Sequence, residues 1–260
     1  MFLDSLPIDP KLLVSDIVAR DYRTAEVFSS YGIGYCCGGK WPLDIACQLR
    51  GVDLEMVKTD LETATRNIQL YNQLDYPGWD IDFLINYILN VHHRYINHAL
   101  PITRESLRDF TKEHLKKFGY LELLEHQLGK LSKLLQLSIQ QEEEVLFPYI
   151  RHIAHAHKDK ESYAALLVKT LRKPIEDILF KNHDIVMEII VSMRNLTNSY
   201  SIPGNACTNH KVVFYRLKEL DNDLMQHFYL EQSVLFPKAI AIERELLDPK
   251  PGAGKKNGDK

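Results

Sequence analysis

Glu142-Glu143-Glu144-Val145-Leu146-Phe147-Pro148 recurs as Glu231-Gln232-Ser233-Val234-Leu235-Phe236-Pro237, an offset of 89 residues from Glu142 to Glu231. His93 and His183, each ahead of one copy, stand 90 residues apart, nearly the same offset. A histidine-bearing segment followed by a glutamate-bearing segment thus occurs twice. Two such pairs predict a bundle with approximate internal twofold symmetry, and the duplication repeats metal-ligand residue types as well as the apolar pattern.

The flanking periodicity is helical throughout. From Trp79 onward, Ile81, Leu84, Ile85, Ile88 and Leu89 share one face and lead into His92 and His93. A second pattern runs over about 120–149 through Leu131, Leu134, Leu135, Val145 and Leu146. A third covers about 173–195, with Leu179, Phe180, Val186, Met187 and Ile190. A fourth covers about 211–243, with Leu217, Leu220, Leu224, Leu230, Val234 and Leu235. No segment alternates with period two between hairpin turns, so the fold class is all-α. Helices of roughly 20 residues make rods of ~30 Å, long enough to enclose a central site. Upstream, helix-like segments flank a turn-rich centre, residues 31–40, and Asp53 is placed to cap a helix over 54–67. Pro77-Gly78 breaks the periodicity. The expected organisation is a small helical domain over 1–73, a four-helix bundle over 79–247 and a polar, disordered tail over 248–260.

Composition limits the function classes. Hydrophobic residues at 45% and charged residues at 26% describe a globular chain. With 32 basic against 35 acidic residues, no basic field draws it to nucleic acid or an anionic membrane. No apolar run is long enough to span a bilayer, and the first residues lack the basic-then-apolar order of a signal peptide. Cys36, Cys37, Cys47 and Cys207 do not form a disulfide framework, so the expected compartment is the cytoplasm, where thiols stay reduced.

Each bundle helix delivers a histidine or a carboxylate to its apolar face. His227 and Glu231 sit at i and i+4 among inward leucines; His183, Glu142 and His93 lie on the apolar faces of the other three helices. Buried ionised carboxylates need compensation, and a metal satisfies several at once. Mixed imidazole and carboxylate donors in a bundle suit iron or manganese, with two glutamates able to bridge two ions.

With these residues in view, the chain resembles the repair-of-iron-centres family, which joins a short cysteine-bearing domain to a hemerythrin-like di-iron domain. The marks are Tyr35-Cys36-Cys37-Gly38-Gly39, Glu142 to Pro148, Asn182-His183-Asp184, Ala206-Cys207-Thr208 and His227 to Pro237. The resemblance implies a non-haem di-iron centre that restores iron–sulfur clusters after nitrosative or oxidative damage. Its partners would be damaged iron–sulfur proteins and nitric oxide or oxygen species, and it allows a homodimer. Carried over by position, it assigns His93, Glu142, His183, His227 and Glu231 as iron ligands, with His92 as the fallback for His93. The family also has a histidine one turn before the first glutamate, where this chain has Ser138. His114 and His126 precede that turn by too many residues to share it, although His114 is the first suspect to fill the gap through a loop. The departure weakens the second iron and leaves a half made of His183, His227 and Glu231 complete. His152, His155 and His157 are expected on a solvated helix end. Cys36 and Cys37, flanked by glycines, are expected as a reduced pair for thiol or iron-transfer chemistry, against the alternative of packing in a turn. Cys47 and Cys207 are expected to pack. The competing function is a hemerythrin-like oxygen or nitric oxide sensor with an incomplete iron site.

Overall fold

Four short helices open the chain: α1 (Val14–Arg20), α2 (Thr24–Ser30), α3 (Leu43–Arg50) and α4 (Leu54–Ala64). The computed structural model describes residues 3–4, 8–35, 39–65, 67–68, 74–171 and 175–247, with side chains left aside at 3–4, 67–68, 171 and 175–182. Cys36, Cys37 and the 248–260 tail lie outside the described residues. Gly51 closes α3 in the left-handed region at φ 67°, which costs a glycine nothing. Asp53 caps α4 as expected, its carboxylate accepting from the Met56 N–H at 2.8 Å. The helix stops at Ala64 rather than at 67, because Asn67–Ile68 (β2) pairs antiparallel with Leu3–Asp4 (β1). These two-residue strands are the one strand pair among the described residues. Ile17, Phe28, Leu43, Cys47, Val57 and Leu61 form the core here, so Cys47 packs as expected.

Most of the remaining helices are long. In α5 (residues 81–114), α-helical Ile81–Tyr87 passes through a π-helical turn, Ile88–His93, into Arg94–His114. In α6 (residues 121–158), Leu121–Gln141 passes through a π turn, Glu142–Leu146, into Phe147–Lys158. After α7 (Ala164–Leu171) and α8 (Ile175–Leu196), α9 (residues 208–247) repeats the plan, with a π turn at Leu230–Leu235. The sequence repeat explains two of these turns. Pro148 and Pro237 have no N–H for the carbonyl four residues back, at Glu144 and Ser233, and their rings crowd it, so the preceding turn widens.

The chain forms two compact units, Met1–Leu74 with Pro101–His126 and Met193–Leu220, and Asp75–Leu100 with Gln127–Ser192 and Asp221–Lys260. The second holds all the expected ligands. Its core includes Leu84, Ile85 and Ile88 of α5, Phe147 and Ile150 of α6, and Leu230, Val234 and Phe236 of α9. Each such side chain contributes about 1.5–3 kcal/mol on burial, which holds the three π turns in register. His152 and His155 are exposed, and His155 and His157 pair with Asp82 and Glu245 at 2.6 and 2.8 Å, so this histidine cluster stays at the surface as expected. Among the described residues no helix is long and apolar enough to cross a membrane.

Candidate metal centre

Each π turn carries an expected ligand: His93 ends the one in α5, Glu142 begins the one in α6, and Glu231 is second in that of α9. His227 lies one turn before Glu231, and His183 projects from α8. Glu142 and Glu231 are 0% exposed and the three imidazoles no more than 2%. All five side chains converge.

Both carboxylates span two positions. Glu142 turns Oε2 to His93 Nε2 at 3.2 Å and Oε1 to His183 Nε2 at 3.9 Å. Glu231 turns Oε1 to His227 Nε2 at 3.3 Å and Oε2 to His183 Nε2 at 3.4 Å. His93 Nε2 and His227 Nε2 face each other at 3.2 Å. Position A is therefore framed by His93, His227 and one oxygen from each glutamate, four ligand atoms all within 4.8 Å of one another. Position B is framed by His183 and the other two oxygens.

The expected grouping of His183 with His227 is corrected by this geometry. The twofold that relates the repeats carries His93 onto His183 and position 227 onto position 138. Since His93 meets His227, symmetry sets His183 against Ser138, so the missing imidazole belongs to position B. The Ser138 hydroxyl is buried and has no hydrogen-bond partner. His114 does not fill the gap. Its Nε2 lies 3.6 Å from Cys207 Sγ, its Nδ1–H donates to the Phe110 carbonyl at 3.3 Å, and its ring stacks on Phe110. Cys207 thus has a polar neighbour that its position in the sequence did not reveal. His92 is buried beside the centre, with Nδ1 on Asp223 at 2.9 Å and its ring stacked on His227, but it stands outside the four-atom group.

Electrostatics fits a cation. Burial pushes the Glu142 carboxyl up, but the neighbouring His183 and His93 outweigh it and hold it down at about 2. Glu231 goes the other way, raised well above the carboxylate range by burial and by the charge of Glu142. Two acids this close do not both ionise without compensation. Burial lowers His227 to about 4, whereas in His93 it is outweighed by Glu142, Glu231 and Glu143, and the imidazole is raised. All four carboxylate oxygens and His183 Nε2 lack a hydrogen-bond partner. Orphaned acceptors aimed at common points are what bound ions satisfy, and three imidazoles with two carboxylates suit iron.

The residues holding the outer nitrogens of the ligands were not anticipated. Glu143 Oε1 lies 2.9 Å from His93 Nδ1, and the Gln232 amide lies 2.8 Å from His183 Nδ1. The signal was present: both directly follow a bridging glutamate and correspond through the 89-residue offset.

The hemerythrin HHE cation binding domain matches residues 84–239, the span that contains both positions. The chain belongs to the hemerythrin HHE cation binding family. Ahead of this domain, residues 12–65 match ScdA_N, a domain of unknown function (DUF542). The iron-sulfur cluster repair protein YtfE of Cronobacter sakazakii is 28% identical over 222 residues, which cover 85% of this chain and 93% of that relative. Its namesakes in Escherichia coli O8 and Shigella boydii serotype 4 are 27% identical with the same coverage. A ScdA_N domain ahead of a hemerythrin domain, with relatives of this name, bears out the resemblance to the repair-of-iron-centres family.

Proposed function

We propose that this chain repairs, or supplies iron to, iron–sulfur clusters damaged by nitrosative or oxidative stress, through a non-haem di-iron centre at positions A and B. The observation that carries the reading is the pair of buried glutamates, each turning one oxygen to His183 and the other to His93 or His227. His93 and His227 would hold iron at A, His183 at B, and Glu142 and Glu231 would bridge. Bound ferrous iron supplies an exchangeable metal that reacts with nitric oxide and oxygen species. The protein's part is to neutralise that charge with two carboxylates, exclude water and leave position B one imidazole short. The names of the relatives support damaged iron–sulfur proteins as clients. The reduced-thiol reading of the cysteines supports a cytoplasmic setting.

The test is reactivation of a nitric-oxide-damaged iron–sulfur dehydratase by the iron-loaded full chain, with free ferrous iron at equal concentration as the control. Reactivation above that control supports the reading, and none opposes it. Cys36→Ser/Cys37→Ser should keep the bundle iron and lose repair if these thiols pass iron on. The gap at Ser138 favours one second reading, a gas sensor that uses the open position, and reversible nitric oxide binding without reactivation of the damaged enzyme would select it.

A further inference from the structure

A run of rings leads from the surface to position A. Trp79, Phe83 and Tyr87 recur every four residues and share one stripe leading into α5. Trp79 stands edge-on to Phe83 at 4.7 Å between centroids and to Tyr87 at 5.1 Å. The π turn over Ile88–His93 takes up one extra residue, so the ring that continues the run is His92, five positions on, 5.6 Å from Tyr87. His92 is 1% exposed, meets Asp223 through Nδ1 at 2.9 Å, and stacks on His227, a ligand of position A, at 5.9 Å and 23°. The outer end is wetter: Phe83 is 53% exposed, and Trp79 and Tyr87 are half-buried. This run belongs to one half of the repeat. Through the same offsets, Tyr87, His92 and Asp223 correspond to Asp177, Asn182 and Leu134, so the bundle architecture does not call for it. Phe147 over His93 and Phe228 beside His183 give up an electron far less readily than tyrosine or tryptophan.

Resting on the di-iron reading, we propose that Tyr87 and Trp79 form an electron relay that draws oxidising equivalents away from position A. Rings in contact let an electron step from one to the next. The relay matters when position B, one imidazole short, is empty. A lone ferrous ion then supplies one of the two electrons that hydrogen peroxide consumes, and the second would otherwise come from a ligand. Here it comes from Tyr87 across His92. The peroxide O–O bond breaks and two waters form. One electron comes from the metal, which becomes ferric, and one from Tyr87; one proton comes from the Tyr87 phenol and one from solvent. Trp79 then restores Tyr87 by giving an electron and its indole proton. At the surface a low-molecular-weight thiol gives Trp79 a hydrogen atom, and pairs of the thiyl radicals so formed join as a disulfide. The bound metal supplies the one-electron chemistry, and the protein's part is to keep that chemistry off its own ligands.

The test uses the full chain loaded anaerobically with one equivalent of ferrous iron. It is mixed with one equivalent of hydrogen peroxide and frozen within milliseconds for electron paramagnetic resonance. An organic radical should appear beside the ferric signal. Ring-deuterated tryptophan should narrow that radical's signal, an assignment that needs no substitution and so does not depend on a variant folding. Trp79→Phe should move the radical onto tyrosine, and Tyr87→Phe should remove most of it. Trp41→Phe, which alters the other tryptophan, should leave it unchanged. Peptide mass spectrometry gives a second readout. After repeated peroxide, Trp79→Phe/Tyr87→Phe should carry added oxygen on His93 or His227 and rebind less iron, and the natural chain should not. The relay is overturned by a chain with bound ferrous iron that yields no organic radical, or by a radical that neither ring-deuterated tryptophan nor ring-deuterated tyrosine alters. An undiminished radical in Tyr87→Phe, or equal ligand oxidation with and without the two rings, also overturns it. A chain that takes up no ferrous iron fails before peroxide is added, which overturns the di-iron reading itself.

Discussion

His93 Nε2 and His227 Nε2 stand 3.2 Å apart although 134 residues separate them in the chain. Two imidazole nitrogens at this distance share one proton or one cation. The two glutamates between the positions share the same shortage of donors. The centre therefore lowers the stability of the metal-free protein while creating affinity for metal, and the two properties can be separated by mutation.

Glu231→Leu is the sharpest case. It removes an acid whose pKa is raised well above normal by burial and by the charge of Glu142, and it puts an apolar side chain among Leu230, Val234 and Leu235. Retained iron should fall to a small fraction of the natural amount. The metal-free variant should be more stable in urea by about 1–3 kcal/mol, the cost of a buried polar group left without a hydrogen-bond partner. A variant that keeps its iron, or whose metal-free form is weaker, means that Glu231 is not a ligand held at the expense of stability.

Ser138→His restores the donor that the repeat places opposite His183. The Ser138 hydroxyl is buried and has no partner, so an imidazole placed there breaks no existing side-chain hydrogen bond. An absent imidazole should cost position B at least ~10-fold in affinity, on the scale of outer-partner effects. Titration of the metal-free protein with ferrous iron should show one firm and one weak site, and Ser138→His should tighten the weak one by that factor. Two equally tight sites in the natural protein would show that another group already fills the gap.

Much of this was legible in the sequence because the bundle is periodic and its site is duplicated. Apolar spacing located the four long helices, and the 89-residue offset tied Glu142 to Glu231. Helix ends were less legible: the second long helix continues to Lys158, because Tyr149, Ile150 and Ile153 keep its face buried beyond the proline. Pairing across the centre was not legible at all. A repeat shows which residues are equivalent, but not which of two equivalent histidines faces a given partner, and so His227 was grouped with His183 rather than with His93. The outer partners escaped because Glu143 looks like any exposed helical acid until its 2.9 Å approach to His93 is seen.

Phe147 links core packing to the centre. It is 1% exposed, and its ring lies over His93 with centroids 5.6 Å apart and planes 18° from parallel. Phe147→Ala should cost about 3–5 kcal/mol of metal-free stability through the lost burial and the cavity left behind. Freed from the ring, His93 should hold iron less firmly, so the ferrous-loaded variant should lose iron to a chelator faster than the natural protein. Phe147→Leu, which keeps most of the volume, should recover most of the stability. A Phe147→Ala protein with unchanged release of both irons would show that the ring packs the core without orienting the ligand.

Acid sensitivity should come in part from outside the metal centre. His210 is 2% exposed, ringed by Phe110, Phe118 and Phe214, and its Nε2 has no hydrogen-bond partner. Burial, with help from the charges of His114 and Lys117, lowers it to about 4 from 6.5. Between those values the unfolded chain binds a proton that the folded chain refuses. The His210 contribution is therefore complete above pH 6.5 and is lost as pH falls toward 4. From about pH 7.5 to about pH 5.5 this amounts to at most about 1.4 kcal/mol, one pKa unit's worth. His210→Phe keeps the apolar contacts and cannot take a proton. In urea unfolding of the iron-free protein, the natural chain should lose more stability than His210→Phe over that interval, with the difference approaching this bound. Comparing the two proteins cancels the other titrating groups, His227 among them. Equal losses would mean that the His210 pocket opens to water when the ring is protonated.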